Sequence, residues 1–541
     1  MNADMTSLDW IVLVLFFVVM CLIGYLSTWL IRNTKDYFTG SGKMPWWLLG
    51  VSHHVSGYSA VAFTAYAAIA YNTGFTVYIW WAVPIAFACY FGQLFIVARW
   101  ARLRTRFQIQ SPLEFISTRY DVATQQILAW LGVLLKVLDV GAKWVAVGLV
   151  ITTFAPSISF PTAVMLAVAL GMFYSTLGGL WAGTITDFAM FLVQAVSAIA
   201  MLGFVLAQLG GFSALWTVWD KLPPGHSDLF AGEYGTWTCI LGLTIANILG
   251  YNGGTWNLAQ RFIAAPQGGE AKKVAFLSAT LYLIWPLVLF FPMWAAPLLF
   301  PGIPAAEQEQ SFSMMVIKIL PPGLTGLMLA ALVSHTLTMT TADATAIASV
   351  LVRDVLPRYS REIQKFTEKQ SLSLARVVTF IFLLLTTIVA LFNAQFGGIL
   401  GLILGWFSAL LGPVSIPMIL GLMPSFRRCG PWASHLAIIS GLVTFAVIKL
   451  GGVQLDFGYT ILLPTVVAFV FYVGSGMFNM IIDKQVRTEV DEFLKGIASD
   501  AAAQMPSGDR LTSPNDRTCP ENGAISQNPA GSEYNPDSMI S

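Results

Sequence analysis

The chain is poor in charge. Asp, Glu, Lys and Arg make up 11% of its 541 residues, against about 25% in ordinary soluble domains. That excludes a soluble enzyme of this length and a charged disordered chain. The 29 basic and 28 acidic residues leave a net charge of +1, so no bulk attraction draws it to nucleic acid. Cysteine is scarce. Cys21, Cys89, Cys239, Cys429 and Cys519 are scattered, with no C-x-x-C pair and no metal-ligand spacing. They read as small apolar fillers, which excludes a disulfide-framed secreted module and a transition-metal site. No phosphate loop and no nucleophile with a base at useful spacing is present, so no enzyme or resident cofactor is expected.

What the chain has is apolar bulk, 56% hydrophobic residues. A bilayer-crossing helix needs about 20 mostly apolar residues. Thirteen stretches qualify, at 8–30, 46–71, 76–98, 125–154, 161–177, 183–209, 236–257, 273–300, 323–356, 373–395, 398–424, 432–450 and 458–482. The fold class is an all-α integral membrane protein of about 13 transmembrane helices. The first stretch is no cleaved signal: it is too long, Asp4 and Asp9 precede its core and its positive charges follow it. With the N-terminus outside, all but five of the 29 Lys and Arg residues fall on the inner side. The exceptions are Lys221, Lys318 and Lys449 near the outer face and Lys136 and Lys143 within a span. The expected location is the cell membrane, N-terminus outside and C-terminus cytoplasmic.

Two spans carry breaking sequences mid-length: Ser56-Gly57-Tyr58-Ser59 in the second and Gly250-Tyr251-Asn252-Gly253-Gly254 in the seventh. Glycine in a membrane helix also serves plain close packing. Two breaks five spans apart point instead to inverted five-helix repeats, because carriers bind cargo where helices are interrupted at the midplane. The organisation read from this is an extra helix and inner loop at 1–45 and a transporter core at 46–424, with repeats 46–209 and 236–424. Two helices follow at 425–482, then a partly disordered cytoplasmic tail at 483–541 whose start, to about Ala503, reads as an amphipathic surface helix. An aromatic stretch, Leu215 to Trp219, reads as a short helix on the outer surface.

Chemistry-bearing residues sit within these spans. Ser334, Thr338, Thr341 and Thr345 are spaced 4, 3 and 4 and share one helix face. Each hydroxyl can bond back to the carbonyl one turn earlier, or the stripe can offer hard oxygens to a cation. Asp187 and Asp343 are intramembrane carboxylates, functional candidates by position; they pair through an ion, or Asp343 caps a local polar network. Lys136, Asp139 and Lys143 share one face of span 4. They form a self-contained ion-pair ladder, or one lysine meets a substrate carboxylate. His53, His54 and His335 admit proton coupling or plain helix-to-helix hydrogen bonds. Tyr58, Trp80, Trp81, Tyr251, Tyr282 and Trp406 offer aromatic walls.

Several motifs together resemble the sodium:solute symporter family, whose members have the leucine-transporter fold. They are Asp36-Tyr37-Phe38 with Pro45-Trp46-Trp47, Ser111-Pro112-Leu113-Glu114-Phe115 with Arg119-Tyr120, and Gly178 to Ala182 with Thr186-Asp187. Asn257 to Arg261 with Ala264-Ala265, and Gly210-Gly211-Phe212 with Leu222-Pro223 and His226, complete the set. The resemblance covers about residues 8–425. It implies a sodium site built from the backbone of Val55, Tyr58 and His335 and the hydroxyl of Thr338, with Thr341 or water supplying what Met339 cannot, since a thioether is a poor ligand for this ion. It also implies a role for Asp187 near a sodium exit path or second sodium site, although Met190 stands where a glutamine is usual. Tyr251 matches the aromatic inner gate. The polar positions of sugar-carrying members fall on Ala62, Trp81, Pro84, Ile248, Tyr282 and Leu404, so that sugar pocket is not preserved. Ser56, Ser59, Trp81, Asn247, Tyr251, Asn252, Tyr282 and Lys136 are the candidate substrate residues.

The reading is a sodium-coupled secondary active symporter importing a small polar organic solute, a sugar or related metabolite first, by alternating access. The alternatives are a proton- or sodium-coupled carrier of a monocarboxylate or amino acid, and a non-transporting sensor on the same fold. The implied partners are the solute, Na+ as coupling ion and the lipid bilayer, with no obligate protein partner.

Overall fold

Polar caps mark where several helices begin. The computed structural model describes residues 5–31, 33–232, 235–396, 399, 402, 407–453, 455–478 and 484–501. All lie within the first of the chain's two compact units, residues 1–505. Leu404, Trp406 and the tail beyond 501 lie outside the described residues.

Helix α1 (Ser7–Ser27) is followed by the short α2 (Thr34–Thr39), capped by the Asn33 side chain accepting from Asp36 N. Helix α3 (Trp46–Val55) starts after extended Pro45, and α4 (Ala65–Thr73) follows after an interruption. Helices α5 (Val83–Phe95), α6 (Ala98–Phe107) and the single turn α7 (Ile116–Arg119) lead to α8 (Val122–Phe154). Asp121 caps α8 by accepting from Thr124 N at 2.7 Å. Helix α9 (Phe160–Gln208) is bent at Gly179, φ +50°. The turn α10 (Ala214–Thr217) overlaps the aromatic stretch Leu215 to Trp219.

The second half holds α11 (Trp237–Leu249), α12 (Trp256–Ala264), α13 (Gly268–Leu299), α14 (Ser311–Ile319) and α15 (Leu324–Val350). The short turns α16 (Leu356–Tyr359) and α17 (Arg361–Gln364) precede α18 (Glu368–Leu391). Helices Pro431–Leu450 and Phe457–Phe478 pack on one another, and a tail helix spans Lys484–Gly496.

Among the described residues, eight helices are long and apolar enough to cross a membrane by length and composition. Among the other expected stretches, the second and seventh are divided by their breaks, and α8 carries three charges at mid-length. The fifth lies on the first part of α9, and the eleventh is only partly described.

Helix α15 is the centre of the molecule. Every residue in it except Leu324, Leu327 and Met339 is buried, and it packs on α1, α8, α9 and α18. Asp9 fixes its start by accepting from Gly323 N at 2.7 Å and Gly326 N at 2.9 Å, a carboxylate placed on the positive end of a helix. Leucine, isoleucine and valine exposed along α1, α9 and α18 form an apolar outer surface, the face that a bilayer requires.

Candidate functional site

The site grows from the two interruptions. Helix α3 ends at Val55, and the next turns close with Gly57 N donating to His54 O at 3.1 Å and Tyr58 N to Val55 O at 3.1 Å. Ser59 is extended, and a tight turn at Ala60–Phe63 restarts the chain. There Ala60 N donates to Thr336 Oγ1 of α15 at 2.9 Å. The break in span 2 is thus pinned to the helix that bears the hydroxyl stripe. A Cβ at Gly57 would stand 1.8 Å from the Tyr282 hydroxyl, so only glycine lets that ring reach the backbone.

The second break lies between α11 and α12. Gly253 adopts φ +117°, and a Cβ there would meet Trp100 Nε1 at 2.4 Å. That indole donates to Asn252 O at 2.8 Å, while Asn252 Nδ2 donates to Ala88 O at 2.9 Å and Ile248 O at 2.8 Å. Asn252 therefore holds the break in shape.

Aromatic rings fill the space between the breaks. Tyr58 stacks on Tyr282 at 5.5 Å and 5°, Trp81 meets Tyr58 edge-on at 5.0 Å, and Tyr251 meets Tyr282 at 5.5 Å and 90°. Tyr282 donates its hydroxyl to His54 O at 2.8 Å. His53 joins three elements, with Nδ1 2.7 Å from Ser278 Oγ and Nε2 3.1 Å from Tyr251 O. Among the described residues, several buried polar atoms have no hydrogen-bond partner: both ring nitrogens of His54, Nδ1 of His335, Ser56 Oγ, Tyr58 Oη and Asn247 Oδ1. Buried polar groups are normally paired, so these atoms have hydrogen-bonding capacity left for a solute or water.

On α15 the hydroxyls bond back along the helix. Ser334 Oγ donates to Ala331 O at 2.8 Å, Thr338 Oγ1 to His335 O at 2.9 Å and Thr345 Oγ1 to Thr341 O at 2.9 Å. A hydroxyl that donates keeps its lone pairs, so the back-bonded stripe still presents oxygens to a cation. Thr338, Thr341 and Thr345 line a small cavity of about 10 Å³ with Asp187, Arg261, Leu180 and Gly183. Asp187 accepts from Ser52 Oγ at 2.5 Å and from Arg261 Nη2 at 3.4 Å, and Arg261 Nε donates to Ser52 Oγ at 3.2 Å. The void is lined by one carboxylate, three hydroxyls and one guanidinium.

The span 4 charges form a closed ring with Asp343. Lys136 Nζ lies 3.0 Å from Asp139 Oδ2 and 2.8 Å from Asp343 Oδ1; Lys143 Nζ lies 2.8 Å from Asp139 Oδ2 and 2.8 Å from Asp343 Oδ2. Asp343 joins this ring, and the described partners of Asp187 are Ser52 and Arg261. Charge bookkeeping held the missed signal: two buried lysines against one aspartate call for a second carboxylate, and buried Asp187 calls for a cation.

Residues 37–429 match the sodium:solute symporter family. The chain belongs to this family. Its members are sodium-coupled secondary transporters, not enzymes, and Na+ is their coupling ion. Rabbit (Oryctolagus cuniculus) sodium/myo-inositol cotransporter 2 is 23% identical over 473 residues, 80% of this chain and 68% of that one. The sodium/sialic acid symporter SiaT of Proteus mirabilis is 23% identical over 388 residues, 69% of this chain and 76% of that one. In fold, the chain is similar to the substrate-bound outward-open structure of a Na+-coupled sialic acid symporter, with TM-score 0.76 at 20% identity, covering 88% of this chain and 98% of that one. A multi-pass membrane transporter of leucine-transporter fold accounts for the architecture.

Proposed function

We propose that this family member couples sodium entry to import of a small polar organic solute, a sugar or related metabolite, by alternating access. The observation that carries the reading is the Ala60 N–Thr336 Oγ1 bond, because it sets the span 2 break against the hydroxyl helix. Sodium would lie between the carbonyls of Val55, Tyr58 and His335 and the Thr338 hydroxyl. Thr341 and Asp187 would receive it in the cavity below. Binding there orders the break and favours the outward-open state, since an ion shifts a conformational equilibrium by its differential affinity.

The solute would occupy the aromatic space beside Ser56, Ser59, Trp81, Asn247, Tyr251, Asn252 and Tyr282, with Lys136 behind it. Tyr251 closes the way inward and moves aside for release. In this reading thirteen spans cross the cell membrane, N-terminus outside and C-terminus cytoplasmic. The core at 46–424 consists of inverted repeats 46–209 and 236–424, between an N-terminal helix at 1–45 and two helices at 425–482, with a cytoplasmic tail from 483. No obligate protein partner is required.

Proton coupling is the second reading, favoured by both ring nitrogens of His54 and Nδ1 of His335, which have no hydrogen-bond partner among the described residues. Flux into proteoliposomes, with sodium replaced by choline and pH varied separately, distinguishes the two. Solute counterflow separates a carrier from a sensor.

A further inference from the structure

The break in span 7 takes the helical donor away from Tyr251 O. In an unbroken helix that carbonyl would accept from Thr255 N, four residues on. Here Thr255 N donates to Gly250 O at 3.1 Å instead. A buried carbonyl needs another donor, and His53 Nε2 stands 3.1 Å from Tyr251 O. The next carbonyl along, Asn252 O, is served in the same way by Trp100 Nε1. Side chains from two other helices thus hold the backbone of the break.

His53 lies two residues before the end of α3 and is wholly buried. Its ring packs against Phe262 of α12 at 4.9 Å and meets the Tyr251 ring at 6.3 Å. A carbonyl only accepts, so Nε2 carries the proton, and Nδ1 accepts from the Ser278 hydroxyl of α13 at 2.7 Å. Both nitrogens of the neutral ring are spent. The next residue, His54, has neither nitrogen paired among the described residues. The two histidines therefore divide the work. His54 keeps bonding capacity beside the span 2 break, and His53 ties α3, the span 7 break and α13 together.

We propose that His53 is the positioning residue of the inner gate, latching the Tyr251 backbone to α3 and α13. The inference rests on the symporter reading and deepens it, by naming what keeps Tyr251 in place. With the latch made, the gate residue leaves its position only when the three elements shift together. Without it, Tyr251 O is buried with no donor, which favours any arrangement that gives it one. The break then loosens, and the inner side opens before solute has bound. His53 serves coupling in this way without touching ion or solute.

The test pairs His53→Leu with His53→Gln. Leucine fills the space and removes both bonds. Glutamine returns a donor for Tyr251 O and an acceptor for Ser278 Oγ. Hydrogen–deuterium exchange over residues 250–256 of the purified full chain reads the latch without any solute. Exchange should rise about three- to tenfold in His53→Leu, the worth of one hydrogen bond, and stay near wild type in His53→Gln. Entry of labelled Na+ into solute-free proteoliposomes reads the gate, and the same order is expected: a raised leak in His53→Leu, none in His53→Gln. A packing role alone gives the opposite order, because a buried leucine is tolerated better than a buried amide, and that order would overturn the inference. Wild-type exchange in His53→Leu overturns the latch. Raised exchange with an unchanged leak overturns the gate role and leaves the symporter reading standing. Wild-type vesicles that pass Na+ freely without solute overturn coupled symport, and the exchange experiment still reads the latch.

Discussion

Lys143 Nζ and Asp343 Oδ2 stand 2.8 Å apart, a bond that ties the fourth expected span to the ninth inside the protein. Both side chains are almost wholly buried. Asp343→Asn leaves two lysines facing one carboxylate, and an uncompensated buried charge costs about 3–5 kcal/mol. The variant should unfold at a markedly lower temperature in detergent. Lys136→Met/Asp343→Val removes one charge of each sign and should recover most of that loss. A thermal midpoint for Asp343→Asn equal to wild type would show that the ring carries no such energy.

Thr338 is the proposed hydroxyl ligand of sodium and lines the cavity beside Asp187. Thr338→Ala should raise the sodium concentration for half-maximal flux about tenfold, the equivalent of roughly 1.4 kcal/mol. Met339→Ser supplies a hard oxygen where the thioether is a poor ligand, and should lower that concentration. A sodium titration of flux reads both, and unchanged values in the pair contradict the assignment.

Asp187 is bound by Ser52 and Arg261. Asp187→Ala leaves the Arg261 guanidinium buried with only the Ser52 hydroxyl and Asn257 carbonyl as its described partners. Transport should slow, read as a lower maximal rate in proteoliposomes with correctly folded protein. Wild-type rates would remove Asp187 from the ion path.

The tail docks on the basic end of the bundle. Phe493 stacks on Phe107 at 5.2 Å, and Asp500 accepts from Arg102 Nε at 3.1 Å and Gly268 N at 2.9 Å. Burial pushes the Asp500 carboxyl up, but the Arg102 hydrogen bond and the Gly268 N–H outweigh it and hold it below its ordinary value of 3.8. A depressed carboxyl stabilises above its unfolded value and loses that contribution as pH falls through the folded one. Docking should therefore be constant from about pH 5 to 8, and Asp500→Asn should loosen the helix Lys484–Gly496 and speed tryptic cleavage after Lys495 at neutral pH. Equal cleavage of wild type and variant would contradict it.

The helical membrane class was legible because apolar length and the placement of Lys and Arg are properties of the chain itself. What lay beyond reach was pairing across the bundle. Nothing in local spacing says that Asp343 meets Lys136 and Lys143, or that Arg261 meets Asp187, because these contacts join residues 74 to 207 positions apart. Asn252 illustrates the other limit. Its residue type fits a solute contact, yet its Nδ2 is spent on the Ala88 and Ile248 carbonyls, which leaves only Oδ1 for one.

The central claim is sodium coupling through α15. The most direct measurement is solute-induced current on a solid-supported membrane, using purified protein in proteoliposomes, a panel of sugars, carboxylates and amino acids, and choline in place of sodium. The account predicts a current that vanishes in choline and, in Thr338→Ala, needs about tenfold more sodium. A current that persists in choline and follows pH would move coupling to His54, His335 or Asp187 and contradict it.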